Sequence, residues 1–165
     1  MACVDLKRAW ISVAVVLAAA APVFAGETPS GTASADAFAQ KVVELTNAER
    51  AKFGLPPLKR QPQLDASSTW LAKDMAENNY FEHTDRMGRT IGKRITFFGY
   101  DAWSMVGENI AAGCRTPEDV VEAWMQSPGH RENILRPEFS EIGIGFVRSE
   151  KNPYKFFWVQ DFGKR

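Results

Sequence analysis

The full chain holds only two histidines, His83 and His130. Both stand in turn-rich stretches, His83 in Tyr80-Phe81-Glu82-His83-Thr84-Asp85 and His130 just after Ser127-Pro128-Gly129, and neither fits an apolar helical stripe. Glu108, in Gly107-Glu108-Asn109, supplies a carboxylate on what reads as a further turn. Two imidazoles and a carboxylate suit zinc or a similar divalent cation, with water completing the shell. Other chemistries find little support. There is no H-E-x-x-H. His130-Arg131-Glu132 has the opening of a deaminase H-x-E but no P-C-x-x-C after it. Ser127 has no G-x-S-x-G elbow around it and reads as a helix-ending residue. Arg115 could lower the pKa of its neighbour Cys114, yet a small residue in a turn is the simpler reading. Glu122 falls on the polar side of its helix. Asn47 and Arg50 share a face near the end of the first helix, with Glu49 beside them, and either reach across the domain or face solvent.

These residues must be positioned by the elements between them. The stretch Gly107 to Leu135 is central. Thr116 is an N-cap with Pro117 at the first helical position and Asp119 three residues after the cap, the pattern of a capping box. Val120, Val121, Trp124 and Met125 follow on one face, and Ser127-Pro128-Gly129 ends the helix. Upstream, a helix is expected from Ser34 or Asp36 to Phe53, with Phe38, Val42 and Leu45 buried and Gly54 as its stop. A second is expected from Pro62 to Asn78, with Leu64, Leu71 and Met75 inward, and a third from Thr90 to Phe98. Downstream, Ile142 to Val147 alternates bulky residues with Gly143 and Gly145, a strand whose glycine face leaves room for side chains above it. Tyr154 to Phe162 is a second strand, paired with it as an antiparallel hairpin. Helices first and strands late predict α+β packing.

The ends and the composition set the context. Lys7 and Arg8, the apolar run Trp10 to Ala21, and Val23-Phe24-Ala25 form the pattern of a signal peptide over residues 1–25, cleaved after Ala25. Residues 26–35 read as a flexible linker and 36–165 as one domain. The expected location is outside the cytoplasm, secreted or periplasmic. No later segment is apolar enough to cross a membrane. A net charge of +0 gives no basic surface for nucleic acid. Once Cys3 is removed with the leader, Cys114 is the only cysteine, so no intramolecular disulfide is expected in the mature chain.

The motifs together resemble those of the CAP superfamily, or SCP domain, of cysteine-rich secretory proteins, antigen 5 and plant pathogenesis-related proteins, in a bacterial form. They are Thr46-Asn47-Ala48-Glu49-Arg50 with Gly54-Leu55-Pro56-Pro57-Leu58, the His83 loop, Gly107-Glu108-Asn109-Ile110-Ala111, and Trp124 to Leu135. The resemblance spans about Phe38 to Phe162. It implies an α-β-α sandwich, a small antiparallel sheet between helical layers. It also implies a cleft of two histidines and two acids that in some members holds a divalent cation. His83, Glu108 and His130 match three of the four. The second acid lies near Ser127 in animal members, and this chain offers Asp85 and Glu122 instead. The implied function is a binding module for a small molecule, lipid or cell-surface partner. The alternative is a metal-assisted hydrolase or peptidase using the same cleft.

Overall fold

A computed structural model describes residues 31–165, with side chains from residue 35 onward. The expected leader over 1–25, its expected cleavage point and residues 26–30 of the segment read as linker lie outside the described residues. The element order is α1 (Gly31–Ala51), β1 (Lys59–Arg60), α2 (Pro62–Asn78), α3 (Ile91–Phe97), β2 (Met105–Ala112), α4 (Pro117–Gln126), α5 (Pro128–Ile134), β3 (Glu141–Arg148) and β4 (Phe156–Lys164). No helix among the described residues is long and apolar enough to cross a membrane.

The four strands lie in the order β1-β3-β4-β2. β3 and β4 pair antiparallel as expected, with Gly145 opposite Val159. β2 joins the far side of β4, also antiparallel, with Glu108 opposite Asp161. Two-residue β1 pairs parallel with β3, so the sheet is mixed rather than wholly antiparallel. Side chains alternate between the faces of a strand, and each face receives its own helical layer. Ala111, Trp158, Phe162, Ile142 and Ile144 pack on one face with Val42 and Val43 of α1, Val120, Val121 and Trp124 of α4, and Ile134 of α5. Ile110, Ala112, Phe157 and Val159 pack on the other with Leu71, Ala72, Met75 and Ala76 of α2. This is the expected α-β-α sandwich.

Four local readings need correction. α1 begins at Gly31, so the end of the segment read as linker is helical; Ala33 and Ala35 are good helix formers and no proline falls among them. Gly107-Glu108-Asn109 is strand, not turn, because its backbone pairs with β4. Ser127 ends α4 but also caps α5, with Pro128 in the first turn, so His130 is on a short helix rather than in a turn. The face of Gly143 and Gly145 is covered. A Cβ on Gly143 would lie 2.2 Å from the carbonyl carbon of Leu64, and one on Gly145 2.2 Å from that of Ser68. The glycines let the α2 backbone lie directly on the sheet, and no cleft opens there.

Cys114 is buried beside α1 and α4, where its backbone carbonyl accepts from Trp158 Nε1 at 2.8 Å.

Candidate functional site around His83 and Glu108

His83 is delivered by the loop between α2 and α3. α2 stops where Asn79 adopts φ 54°, and the loop that follows is built around Asp85. Asp85 Oδ1 accepts from the backbone N–H groups of Met87 and Arg89, each at 2.9 Å, and Oδ2 accepts from Arg89 Nε at 2.7 Å. The Arg89 guanidinium in turn lies 4.4 Å from the Trp70 ring centre and 4.5 Å from that of Phe97. Asp85 is therefore occupied in holding its own loop. Glu122 is exposed on α4, where its Oε1 accepts from Gln126 Nε2 at 3.0 Å. Neither is hydrogen-bonded to His83 or Glu108.

Glu108 does meet His83. His83 Nδ1 lies 2.7 Å from Glu108 Oε1, with 48% of the imidazole side chain exposed against 3% of the carboxylate side chain. The other oxygen, Oε2, accepts from Arg94 Nη2. Arg94 comes from α3 and is fully buried. Its Nε donates to Ser67 Oγ at 3.2 Å and its Nη1 to the backbone carbonyl of His83 at 3.2 Å. Nη2 also lies 3.8 Å from Asp161 Oδ1. The Ser67 hydroxyl donates in turn to Asp161 Oδ2 at 2.8 Å. Burial and the neighbouring Glu108 carboxylate push the Asp161 carboxyl well above the ordinary aspartate range, against the pull of Arg94 and Ser67.

His130 is held differently. Asn109, next to Glu108 and on the other face of β2, donates from Nδ2 to the His130 backbone carbonyl at 3.1 Å and to Gln160 Oε1 at 3.0 Å. Asn133 closes the connection, donating to the Glu108 carbonyl at 3.2 Å and to Asn109 Oδ1 at 2.9 Å. His83 and His130 thus flank the edge strand β2, one from each helical layer. Among the described residues no group of three or more His, Cys, Asp or Glu side chains is arranged to hold a metal ion. The donor set of His83, Glu108 and His130 also fits a cation poorly. Glu108 has one oxygen on His83 and the other on a buried guanidinium, so a cation there would have to share or displace those contacts.

Arg94, Ser67 and Asp161 are the members that motif reading passed over. Two of them carried a signal. Arg94 interrupts the apolar side of α3 between Ile91 and Ile95. Asp161 falls in the same alternating row as Phe157 and Val159, the core side of β4. An acid and a base on faces that should be apolar need each other. Arg50 proves structural: it bonds backbone carbonyls, as does Asn47, which pairs with both backbone groups of Leu58.

The fold and this constellation define a class, and comparison with known proteins agrees. The model of the CAP family, the cysteine-rich secretory protein family, matches residues 43–162. The chain belongs to that family. It is similar to the uncharacterized protein YkwD of Bacillus subtilis, with 44% identity over 135 residues that cover 82% of this chain and 50% of that protein. A second Bacillus subtilis relative, the uncharacterized membrane protein YlbC, is 30% identical over 76% of this chain and 34% of its own length. The chain thus spans half or less of the curated relatives it matches. Among solved structures, an extracellular SCP-domain protein of Bacillus anthracis superposes with a TM-score of 0.74 at 29% identity, covering 86% of this chain and 45% of that one. An outer surface protein of Borrelia burgdorferi gives a TM-score of 0.69 at 27% identity, covering 76% and 91%.

Proposed function

We propose that the chain is an exported CAP domain that binds its ligand at the cleft mouth through His83. The supporting observation is the His83–Glu108 pair. A buried carboxylate that accepts from Nδ1–H fixes the ring and leaves Nε2 for an incoming group. Neutral imidazole then offers a lone pair to a hydroxyl or amide donor. The buried Arg94, Ser67 and Asp161 behind it keep the pair in place without ligand, which lowers the ordering cost of binding. The basic, apolar and small-residue pattern of residues 1–25 supports export, as do the extracellular and outer-surface relatives. Small molecules, lipids and cell-surface components are the ligand classes that the family suggests.

The test follows the His83 ring by NMR while phosphatidylglycerol vesicles, and separately soluble cell-wall fragments, are added to the full chain. One of the two should shift the ring signals, and His83→Ala should weaken that binding at least tenfold. The hydrolase reading uses the same imidazole as a base beside a cation. Turnover in a broad ester and amide screen that is lost both on chelation and in His83→Ala would replace the binding reading with it.

A further inference from the structure

The register of β2 on β4 places Glu108 directly opposite Asp161, on one face of the sheet and almost wholly buried. Two acids in directly opposed positions repel when ionised, and burial sharpens the repulsion. Such a pair is relieved by a proton, which the raised Asp161 carboxyl favours, or by a cation beside it. In a cleft of histidines and acids a divalent ion could fill that place. Here the place is filled from within the chain.

We propose that Arg94 is the resident cation of this cleft, standing where a divalent ion would otherwise balance Glu108 and Asp161. Four observations support this. Arg94 Nη2 contacts Glu108 Oε2 and lies 3.8 Å from Asp161 Oδ1, so one nitrogen faces both acids. Nε is anchored on Ser67 Oγ, the hydroxyl that also donates to Asp161. Nη1 holds the backbone carbonyl of His83, so the same side chain positions both members of the His83–Glu108 pair. Finally, a guanidinium keeps its charge at every physiological pH and cannot ligate a metal. An ion brought to Glu108 would meet that fixed charge at contact distance and would have to displace it. The cleft is therefore metal-independent, and Arg94 is a positioning residue for His83.

This proposal rests on reading the His83 cleft as the binding site, but the two fail separately. Zinc chloride is titrated by calorimetry into the full chain at neutral pH, and the His83 ring nitrogens are followed by NMR. The native chain should show no zinc binding that depends on Glu108. Binding that weakens tenfold or more in Glu108→Gln would overturn the proposal, whatever the vesicle and cell-wall titrations show. Arg94→Gln, checked for folding by circular dichroism, should bind zinc at least tenfold more tightly than the native chain. That gain should vanish when Glu108→Gln is added. A folded Arg94→Gln without the gain also overturns it. If Arg94→Gln does not fold, Arg94→Lys keeps one cation and should remain silent to zinc. Glu108-dependent zinc binding by that variant counts against the proposal.

Discussion

Replacing Arg50 by methionine keeps most of the side-chain volume and removes the guanidinium. Arg50 is fully buried at the end of α1 and has no carboxylate partner among the described residues. It donates to four backbone carbonyls: Pro56 at 3.0 Å, Ile134 at 2.8 Å, Arg136 at 2.9 Å and Phe139 at 3.3 Å. Three of these belong to the end of α5 and the segment after it, where helix carbonyls lack intrahelical donors. The bonds to Ile134 and Phe139 are buried, so Arg50→Met strands two acceptors that water does not readily reach. Each stranded group costs ~1–3 kcal/mol. Part of this is returned, because burial also disfavours the Arg50 charge and holds its pKa below the ordinary arginine value. A net loss of about 3–4 kcal/mol is expected, a large share of the ~5–15 kcal/mol typical of a domain. With a urea dependence of roughly 1–3 kcal/mol per molar, the midpoint followed by tryptophan fluorescence should fall by about 1–4 M. Because α5 carries His130 and donates from Asn133 to the Glu108 carbonyl, the His83 ring signals should broaden as well. A midpoint within roughly 0.5 M of the native value at unchanged slope would refute this account, since it would mean the carbonyls find other donors.

Further expectations concern packing and pH. Gly145→Ala should abolish soluble folded protein, because the new methyl carbon would fall 2.2 Å from α2 backbone that cannot retreat without leaving the sheet. Gly92→Ala meets only the Trp103 indole at 3.0 Å, so it should shift the tryptophan emission and leave the melting temperature within a few degrees. Glu141 is held below the ordinary glutamate range by hydrogen bonds from Arg165, then Tyr100 and Gln61. A carboxylate with a lowered folded pKa stabilises the fold above its unfolded value and loses that contribution as pH falls through the folded one. Urea titrations should therefore show the stability gap between native chain and Glu141→Gln closing below about pH 4.3, the unperturbed glutamate value. A gap that widens on acidification would contradict the assignment.

Much of the architecture was legible because it is locally encoded. The Thr116–Asp119 capping box, the Pro62 start of α2 and the alternation of β3 are written in neighbouring residues, and each occurs where the spacing predicts. The His83, Glu108 and His130 motifs identify the family for the same reason, since each is a short contiguous block. What failed was whatever depends on a distant partner. Gly107-Glu108-Asn109 reads as a turn until β4 is beside it. The glycine face of β3 reads as open until α2 is laid on it. Asp85 reads as a cleft acid until its oxygens are seen to be spent on its own loop.

The charge network shows the division most sharply. Sequence alone determined that a carboxylate and imidazoles would be available, because residue types and their flanking motifs persist whatever the packing. Only the tertiary structure decided that Glu108 answers to Arg94 and stands opposite Asp161, residues 14 and 53 positions away along the chain. Strand register and the seating of α3 set those distances. The balance of a buried charge depends on distance in space, and local sequence does not contain it.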